Sequence, residues 1–394
     1  MTSINKRQHN KTRLLRMVKG FIPALLMLFV PKKKKRIIFS SDHNIAFKHS
    51  SKYLFEYFLK HHQDFEIKFV INSDEYRKKL TMEYGDYFIR SNTLSGHFYV
   101  LMAKTWVVSS FETPVGGVLL NIGRKVHHLS HGSPLKNIGL MENSCGKLKK
   151  TYYWLIRKNF SYFYSCADIF TPIWVKCLGV NVEDVVIQPL ARNELILQPQ
   201  KELFKSITTK MPHGRHVLYA PTWRPFSDTK LFNFDDFSVA RLTECLENNQ
   251  INIHLRLHPN FSDKIPPELL VSPRIRILGN NDVHDINSIL GEFDAVITDY
   301  SSIYIDFILT LKPVMFLPYD YSAYNENVGF AIDFQKYTPG PKPASYDKFE
   351  NELTALLEDR GYYLSERKRV NDELNTIKLE PSKSNADFII SKII

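Results

Sequence analysis

Only four cysteines, Cys145, Cys166, Cys177 and Cys245, stand in 394 residues, and no two of them have C-x-x-C spacing. That pattern suggests neither a disulfide framework nor a zinc site, and a reducing cytoplasm is the expected setting. The cysteines read as small buried residues. No Walker loop and no G-x-G-x-x-G occurs, so both glycine-rich phosphate cradles are missing. No Asp-x-Asp occurs, so a metal held by that device is not expected. No zinc finger or RNP-type motif is present, which removes the usual signatures of nucleic-acid binding. The chain has no internal repeat and no low-complexity body. No apolar run reaches the roughly 20 residues needed to cross a bilayer as a helix.

What is there is ordinary in composition and basic in charge. Hydrophobic residues make up 44% and charged residues 24%, enough for a real core. The net charge of +11 points to anionic partners. Without nucleic-acid motifs, those partners are expected to be phosphates and an anionic membrane surface. Residues 1–19 are polar and basic. The twelve-residue run Gly20–Pro31 is apolar, and Lys32-Lys33-Lys34-Lys35-Arg36 follows it directly. A basic block in place of a small-residue cleavage site argues against a signal peptide, and basic flanks on both sides argue against translocation. The physical fit is a monotopic anchor, apolar face in lipid and lysines on head groups at about 1 kcal/mol each. The alternative is an apolar helix docked on the protein's own core. Residues 1–36 are therefore set apart as a membrane-associating segment, at the cytoplasmic face of the cell membrane.

The body alternates apolar runs with helical periodicity. Strands are expected at Ile37–Ser41, Phe65–Asn72, Thr105–Ser110, up to Leu129, at Asp168–Thr171 and at Val185–Gln188. Lys147–Ala167 is aromatic and basic and reads as helix. A second set of strands is expected at Val217–Ala220, Ile253–His258, Ile275–Leu278, Ala295–Thr298 and Pro313–Pro318. Strands alternating with helices predict parallel, doubly wound α/β sheets, in which ligands gather at the carboxyl ends of strands. The expected division is 37–200 and 201–394, two Rossmann-like domains facing a cleft in the GT-B manner.

Four strand ends carry chemistry-bearing residues. Thr298-Asp299-Tyr300-Ser301-Ser302 is a polar corner between a buried strand and a helix containing Asp306. Ser301 or Ser302 can cap that helix, and its N-terminus can hold an anion. A capped helix in any α/β domain would look the same. His131, before Gly132, could take a proton from an alcohol or serve as a turn histidine. His258, two residues after Arg256 at another strand end, could neutralise a diphosphate or sit solvated. Arg224 lies in a post-strand loop and could grip phosphate. Asp299 and Asp306 have no partner at glycosidase spacing.

Five ordered stretches resemble the CDP-glycerol glycerophosphotransferase family. Leu129-Ser130-His131-Gly132-Ser133-Pro134-Leu135-Lys136 is similar to its W-H-G-T-P-L-K segment. Leu190-Ala191-Arg192-Asn193-Glu194-Leu195 is similar to P-R-N-D-x-L. Tyr219-Ala220-Pro221-Thr222-Trp223-Arg224 matches Y-A-P-T-W-R, Arg256-Leu257-His258-Pro259 matches x-x-H-P, and Thr298 to Ser302 with Asp306-Phe307 matches T-D-Y-S-S…D-F. Ser130 and Ala191 replace the usual Trp and Pro, both on the acceptor or inter-domain side. The resemblance implies a GT-B fold, a CDP-glycerol donor and a membrane-linked glycan or polyol-phosphate acceptor, without a metal or other cofactor. His131 would be the base, and His258 would act with it in catalysis. Arg224, Arg256, Ser301 and Ser302 would hold donor phosphates, and Asp306 would face the ribose. The alternatives are a CDP-ribitol-dependent transferase, a nucleotide-sugar GT-B glycosyltransferase, and a non-catalytic binding protein on the same fold.

Overall fold

Strand β1 runs Lys33–Ser40 and is an interior strand, third in order, of a seven-stranded sheet; its second half is apolar on both faces. Ile37, Ile38 and Phe39 are fully buried, as expected for a parallel strand covered by helices on each side. The computed structural model describes Leu15, Val18, residues 20–22, Leu25 and residues 29–143, 145–257 and 265–393. The first sheet adds β2 (Glu66–Val70), β3 (Phe88–Ile89), β4 (Ala103–Val108), β5 (Lys125–His128), β6 (Tyr162–Ser165) and β7 (Val185–Ile187). Its order is β3-β2-β1-β4-β5-β6-β7, and every pairing is parallel. Helix α1 (His49–His61) covers one face, with Phe55 and Phe58 edge-on to Phe39. Each such aromatic adds about 1.5–3 kcal/mol of burial.

The second sheet contains β8 (Arg215–Ala220), β9 (Ile251–Leu255), β10 (Ile275–Ile277), β11 (Ala295–Thr298) and β12 (Val314–Phe316). Its order is β10-β9-β8-β11-β12, again wholly parallel. Val217, Ile253, Ile297 and Leu353 are among the side chains that fill its core. Both sheets reverse direction of winding once, beside β1 and beside β8. Those are the switch points where ligands collect in doubly wound folds.

The chain divides into two units, and their boundaries differ from the expected ones. The first contains residues up to 133, 138–194 and 376–394; the second contains 134–137 and 195–375. The expected second domain ran to residue 394. Instead helix α2 (Pro381–Ser391) belongs to the first unit, through side chains that its sequence gave no means of assigning. Asn385 donates to the Pro189 carbonyl at 2.9 Å, Ser384 bonds Gln188 at 3.1 Å, and Phe388 packs edge-on to Tyr162. Two further expectations fail locally. Asp168–Phe170 is a 3-10 turn leading into a helix, not a strand. The aromatic stretch is helix only over Lys147–Ile156, and Tyr162–Ser165 is β6.

The end of the basic block is part of the sheet, with Lys33, Lys34 and Lys35 exposed and Arg36 buried. Lys33–Arg36 already belongs to β1. Arg36 is 4% exposed, makes a bidentate pair with Glu66 at 2.9 and 2.8 Å, and lies 3.6 Å over the Tyr99 ring. Lys35 pairs with Asp64 at 3.0 Å. A segment ending at residue 36 would therefore cut through the central strand.

Truncation after Asn375 removes the buried Ala386 and Ile389 along with the Asn385 bond. The expected loss is several kcal/mol, at about 1.5–3 kcal/mol per large buried side chain. Thermal unfolding and limited proteolysis check this; a truncated chain as stable as the whole would contradict the assignment of α2 to the first unit.

Candidate active site

In the first unit, the turns after β1 and β5 bring His131 to Asp42 and His49. His131 follows a turn whose Ser130 has φ of 61°, a left-handed conformation that costs a non-glycine residue about 1–2 kcal/mol. Ser130 offsets this locally. Its backbone N–H donates to His128 Nδ1 at 3.1 Å and its hydroxyl donates to the Gly132 carbonyl at 3.0 Å. A hydroxyl therefore suits a position where the family motif carries Trp. Gly132, at φ 155°, leaves room beside the Arg192 guanidinium. Arg192 donates to the His131 carbonyl at 2.7 Å, so the second family-like segment fixes the first.

The His131 ring lies 5.9 Å from the His49 ring, centroid to centroid. His49 Nε2 is 3.2 Å from Asp42 Oδ2, and Lys48 Nζ reaches the same oxygen at 2.8 Å. Burial opposes a charge on Asp42, but hydrogen bonds from His49 and Lys48 outweigh it and hold the carboxylate well below its usual range. His131 is held below the ordinary histidine value. Crowding by protein is the largest cause, and His49 and Arg192 push the same way against Asp42 and the Ser109 backbone. The residue is exposed and therefore reachable, and its lowered pKa, about 4, leaves the ring neutral near pH 7. A neutral imidazole with one nitrogen bonded to backbone presents the other as a proton acceptor.

In the second unit, parallel pairing puts the ends of β9, β8 and β11 side by side. Asp299, immediately after β11, accepts the Thr222 N–H at 2.8 Å. Arg224 is fully buried between Asp299 and Asp320. It bonds Asp320 at 3.0 and 2.8 Å, and its third nitrogen meets Asp299 and the Thr222 carbonyl. Tyr300 adds a 3.0 Å bond to Asp320. This corrects the expected role of Arg224. Its guanidinium is spent on two carboxylates, so it shapes the loop and does not present charge to a phosphate. Arg256 is half-buried and donates to the Leu278 carbonyl and Asn280, at 3.0 and 2.6 Å, at the same sheet edge. His258 lies outside the described residues.

The helix after β11, here α3 (Ile303–Phe307), has five residues. Ser301 Oγ accepts from the Ile303 N–H at 3.4 Å, whereas Ser302 makes no capping bond. So short a helix has little macrodipole, and any anion held here relies on local donors. Asp306 is 2% exposed, turned into the unit from α3, which takes it away from the surface where a ribose contact was expected.

Reading the sequence missed Asp42, His49, Asp320 and Lys136. Asp42 follows a recognised strand and could have been noted on position alone. Lys136 closes the His131 motif, but belongs to the second unit. Burial lowers its pKa, and Asp299 opposes that shift.

Arg224→Ala leaves the buried Asp299 and the partly exposed Asp320 without their cation and is expected to cost about 3–5 kcal/mol. Chemical denaturation measures it. An Arg224→Ala protein of unchanged stability that had lost nucleotide affinity would return Arg224 to the phosphate-binding role.

Comparison with known proteins gives the family and the fold class. The family described as CDP-Glycerol:Poly(glycerophosphate) glycerophosphotransferase matches residues 23–385. The chain is 26% identical over 330 residues to the teichoic acid poly(glycerol phosphate) polymerase of Bacillus subtilis (strain 168), covering 79% of this chain and 42% of that protein. It is 24% identical over 355 residues to the teichoic acid glycerol-phosphate transferase of Staphylococcus aureus, covering 85% of this chain and 87% of that protein. It thus spans less than half of the first relative and most of the second. Among solved structures, the wall teichoic acid polymerase TagF superposes with a TM-score of 0.74 at 19% identity, over 100% of this chain and 99% of that one. A UDP-GlcNAc 2-epimerase from Neisseria meningitidis gives 0.57 at 12% identity, over 90% and 99%. These likenesses match the GT-B fold class expected from the sequence. With more than nine-tenths of its length matched, the chain belongs to the CDP-glycerol:poly(glycerophosphate) glycerophosphotransferase family.

Proposed function

We propose that the protein transfers glycerol phosphate from CDP-glycerol to a hydroxyl of a membrane-linked acceptor and releases CMP, in the synthesis of a teichoic-acid-like or capsular surface polymer. The observation that carries this is the neutral, reachable His131 beside the Asp42–His49 pair, with its backbone carbonyl anchored by Arg192. His131 takes the acceptor hydroxyl proton as the oxygen attacks the β-phosphorus of the donor. The bond from that phosphorus to the bridging oxygen breaks, and CMP leaves with the electron pair. Such transfers depend on positioning and charge stabilisation. Arg256, Ser301 and the backbone of the Asp299–Ser302 turn supply these in the second unit, with His258 as the cation expected after Arg256. No metal is required in this reading, and activity is expected to survive EDTA.

Ribitol-phosphate polymerases also stand among the relatives, such as that of Bacillus spizizenii at 24% identity. A donor panel separates the readings. With a lipid-linked acceptor, CMP release from CDP-glycerol is expected to exceed that from CDP-ribitol. UDP release from UDP-sugars alone would overturn the assignment. Because the pKa of His131 is depressed, the base stays deprotonated at lower pH. The acid limb of kcat/KM is expected below the ordinary histidine value of about 6.5. A limb at or above that value would contradict His131 as base.

We also place the protein at the cytoplasmic face of the membrane. No helix among the described residues is long and apolar enough to cross a membrane. The described part of the N-terminal segment instead exposes Leu15, Val18, Phe21, Ile22, Leu25 and Phe29, which fits a monotopic apolar face. Changing Phe21, Ile22 and Leu25 together to Asp is expected to move the protein to the soluble fraction with β1 intact. Unchanged membrane association would locate the contact elsewhere.

A further inference from the structure

With the Arg224 guanidinium bound to two carboxylates, charge for a phosphate in the second unit has to come from another side chain, and Lys136 is placed to supply it. The short segment Pro134–Asn137 belongs to this unit. It is laid along Gly329–Ala331. Lys136 is bridged antiparallel to Phe330, the Ala331 N–H donates to the Leu135 carbonyl at 2.9 Å, and the Asn137 N–H donates to the Gly329 carbonyl at 3.1 Å. Residues directly opposite in an antiparallel pairing put their side chains on the same face. The Phe330 ring lies 5.5 Å from the Tyr300 ring and 5.7 Å from Tyr324, centroid to centroid. Tyr300 follows Asp299 directly, and the Arg224 guanidinium lies 5.0 Å over its ring. The Lys136 side chain therefore starts on the face of the Asp299 turn, at the carboxyl end of β11. Its ammonium feels both charges there, drawn by Asp299 and repelled by Arg224.

The two carboxylates of this turn are already bonded without it. Asp299 Oδ1 accepts the Thr222 and Tyr300 N–H groups at 2.8 and 2.5 Å, and Oδ2 is taken by Arg224. Asp320 Oδ1 accepts from Arg224 and from the Tyr300 hydroxyl at 2.8 and 3.0 Å, and Oδ2 accepts from Arg224 at 3.0 Å. Arg256, at the end of β9, gives two of its nitrogens to the Leu278 carbonyl and Asn280. Among the described residues the Lys136 ammonium makes no hydrogen bond and no ion pair. The residue is half-buried, so one side of it remains open. An ammonium has three donors and no acceptor, and partial burial removes water that would serve them. The oxygens of an anion would.

We propose that Lys136 grips the donor diphosphate. Its ammonium donates to non-bridging phosphate oxygens beside the Asp299–Ser302 turn, and it offsets the charge that builds on the departing CMP as the bridging bond breaks. The inference rests on the transferase reading for the identity of the donor, whereas a phosphate site at Lys136 stands on the second unit alone.

The test uses the full chain with three probes: CDP-glycerol, cytidine and inorganic pyrophosphate. Lys136→Met removes the charge at similar length. Calorimetry is expected to show it binding CDP-glycerol and pyrophosphate roughly ten- to a hundredfold more weakly than the wild type, the equivalent of one charge-assisted hydrogen bond. Cytidine, which has no phosphate, should bind both proteins alike, and the thermal unfolding midpoint should stay close to that of the wild type. Lys136→Arg, which keeps the charge, should recover part of the loss. In turnover assays Lys136→Met should lower kcat/KM for CDP-glycerol and leave the KM for the acceptor unchanged. Pyrophosphate bound equally by Lys136→Met and the wild type would overturn the site. A variant that loses cytidine and CDP-glycerol in equal measure, together with thermal stability, would make Lys136 a structural counter-charge for Asp299. A wild type that binds pyrophosphate through Lys136 but not CDP-glycerol would sink the transferase reading and keep the phosphate site.

Discussion

In a parallel sheet every strand ends on the same edge, and this constraint organises each unit. Asp42 after β1 and His131 after β5 are distant in sequence, yet right-handed crossovers bring both turns to one edge. The same holds for Thr222, Arg256 and Asp299 after β8, β9 and β11. Chemistry assembled in this way needs no dedicated motif for each residue. It needs strands of the right length and turns that aim the side chains, and the turns carry the strain. His43, Asn44, His49 and Ser130 all adopt positive φ, unfavourable for non-glycine residues, in the turns that build the His131 cluster.

Charge behaves differently from its appearance in the sequence. The net +11 suggests free cations waiting for phosphate, yet several arginines are engaged in building the fold. Arg36 is bound to Glu66, Arg224 to Asp299 and Asp320, and the buried Arg124 donates to the Ala103 and Leu120 carbonyls while lying over Trp106. For a pair as buried as Arg224 and Asp299, desolvation offsets much of the attraction, so its net contribution to stability is small. For Arg224 the result is a loop pinned between Asp299 and Asp320.

Much of this was legible in the sequence. Runs such as Ile37-Ile38-Phe39 and Val296-Ile297 are apolar on both faces, so they could only be buried strands, and their alternation with helices gave the parallel class. Five ordered segments were enough to recognise the family. Other features were not legible. An amphipathic helix such as α2 shows that it packs on something, but not on which sheet. That Arg36 is buried against Glu66 was not legible either, since sequence does not reveal which strand lies beside it. Arg224 looked free because its carboxylates come from later strands. The His49–Asp42 pair left no spacing signal, since it depends on an irregular turn.

The central claim is that His131 is the base of a transfer from CDP-glycerol. Its most direct test is His131→Ala, assayed for CDP-glycerol binding and for CMP release in the presence of a lipid-linked acceptor. The account predicts binding within a few-fold of the wild type and CMP release reduced by at least about a hundredfold, the usual contribution of a positioned base. A His131→Ala protein that releases CMP at close to the wild-type rate would contradict it.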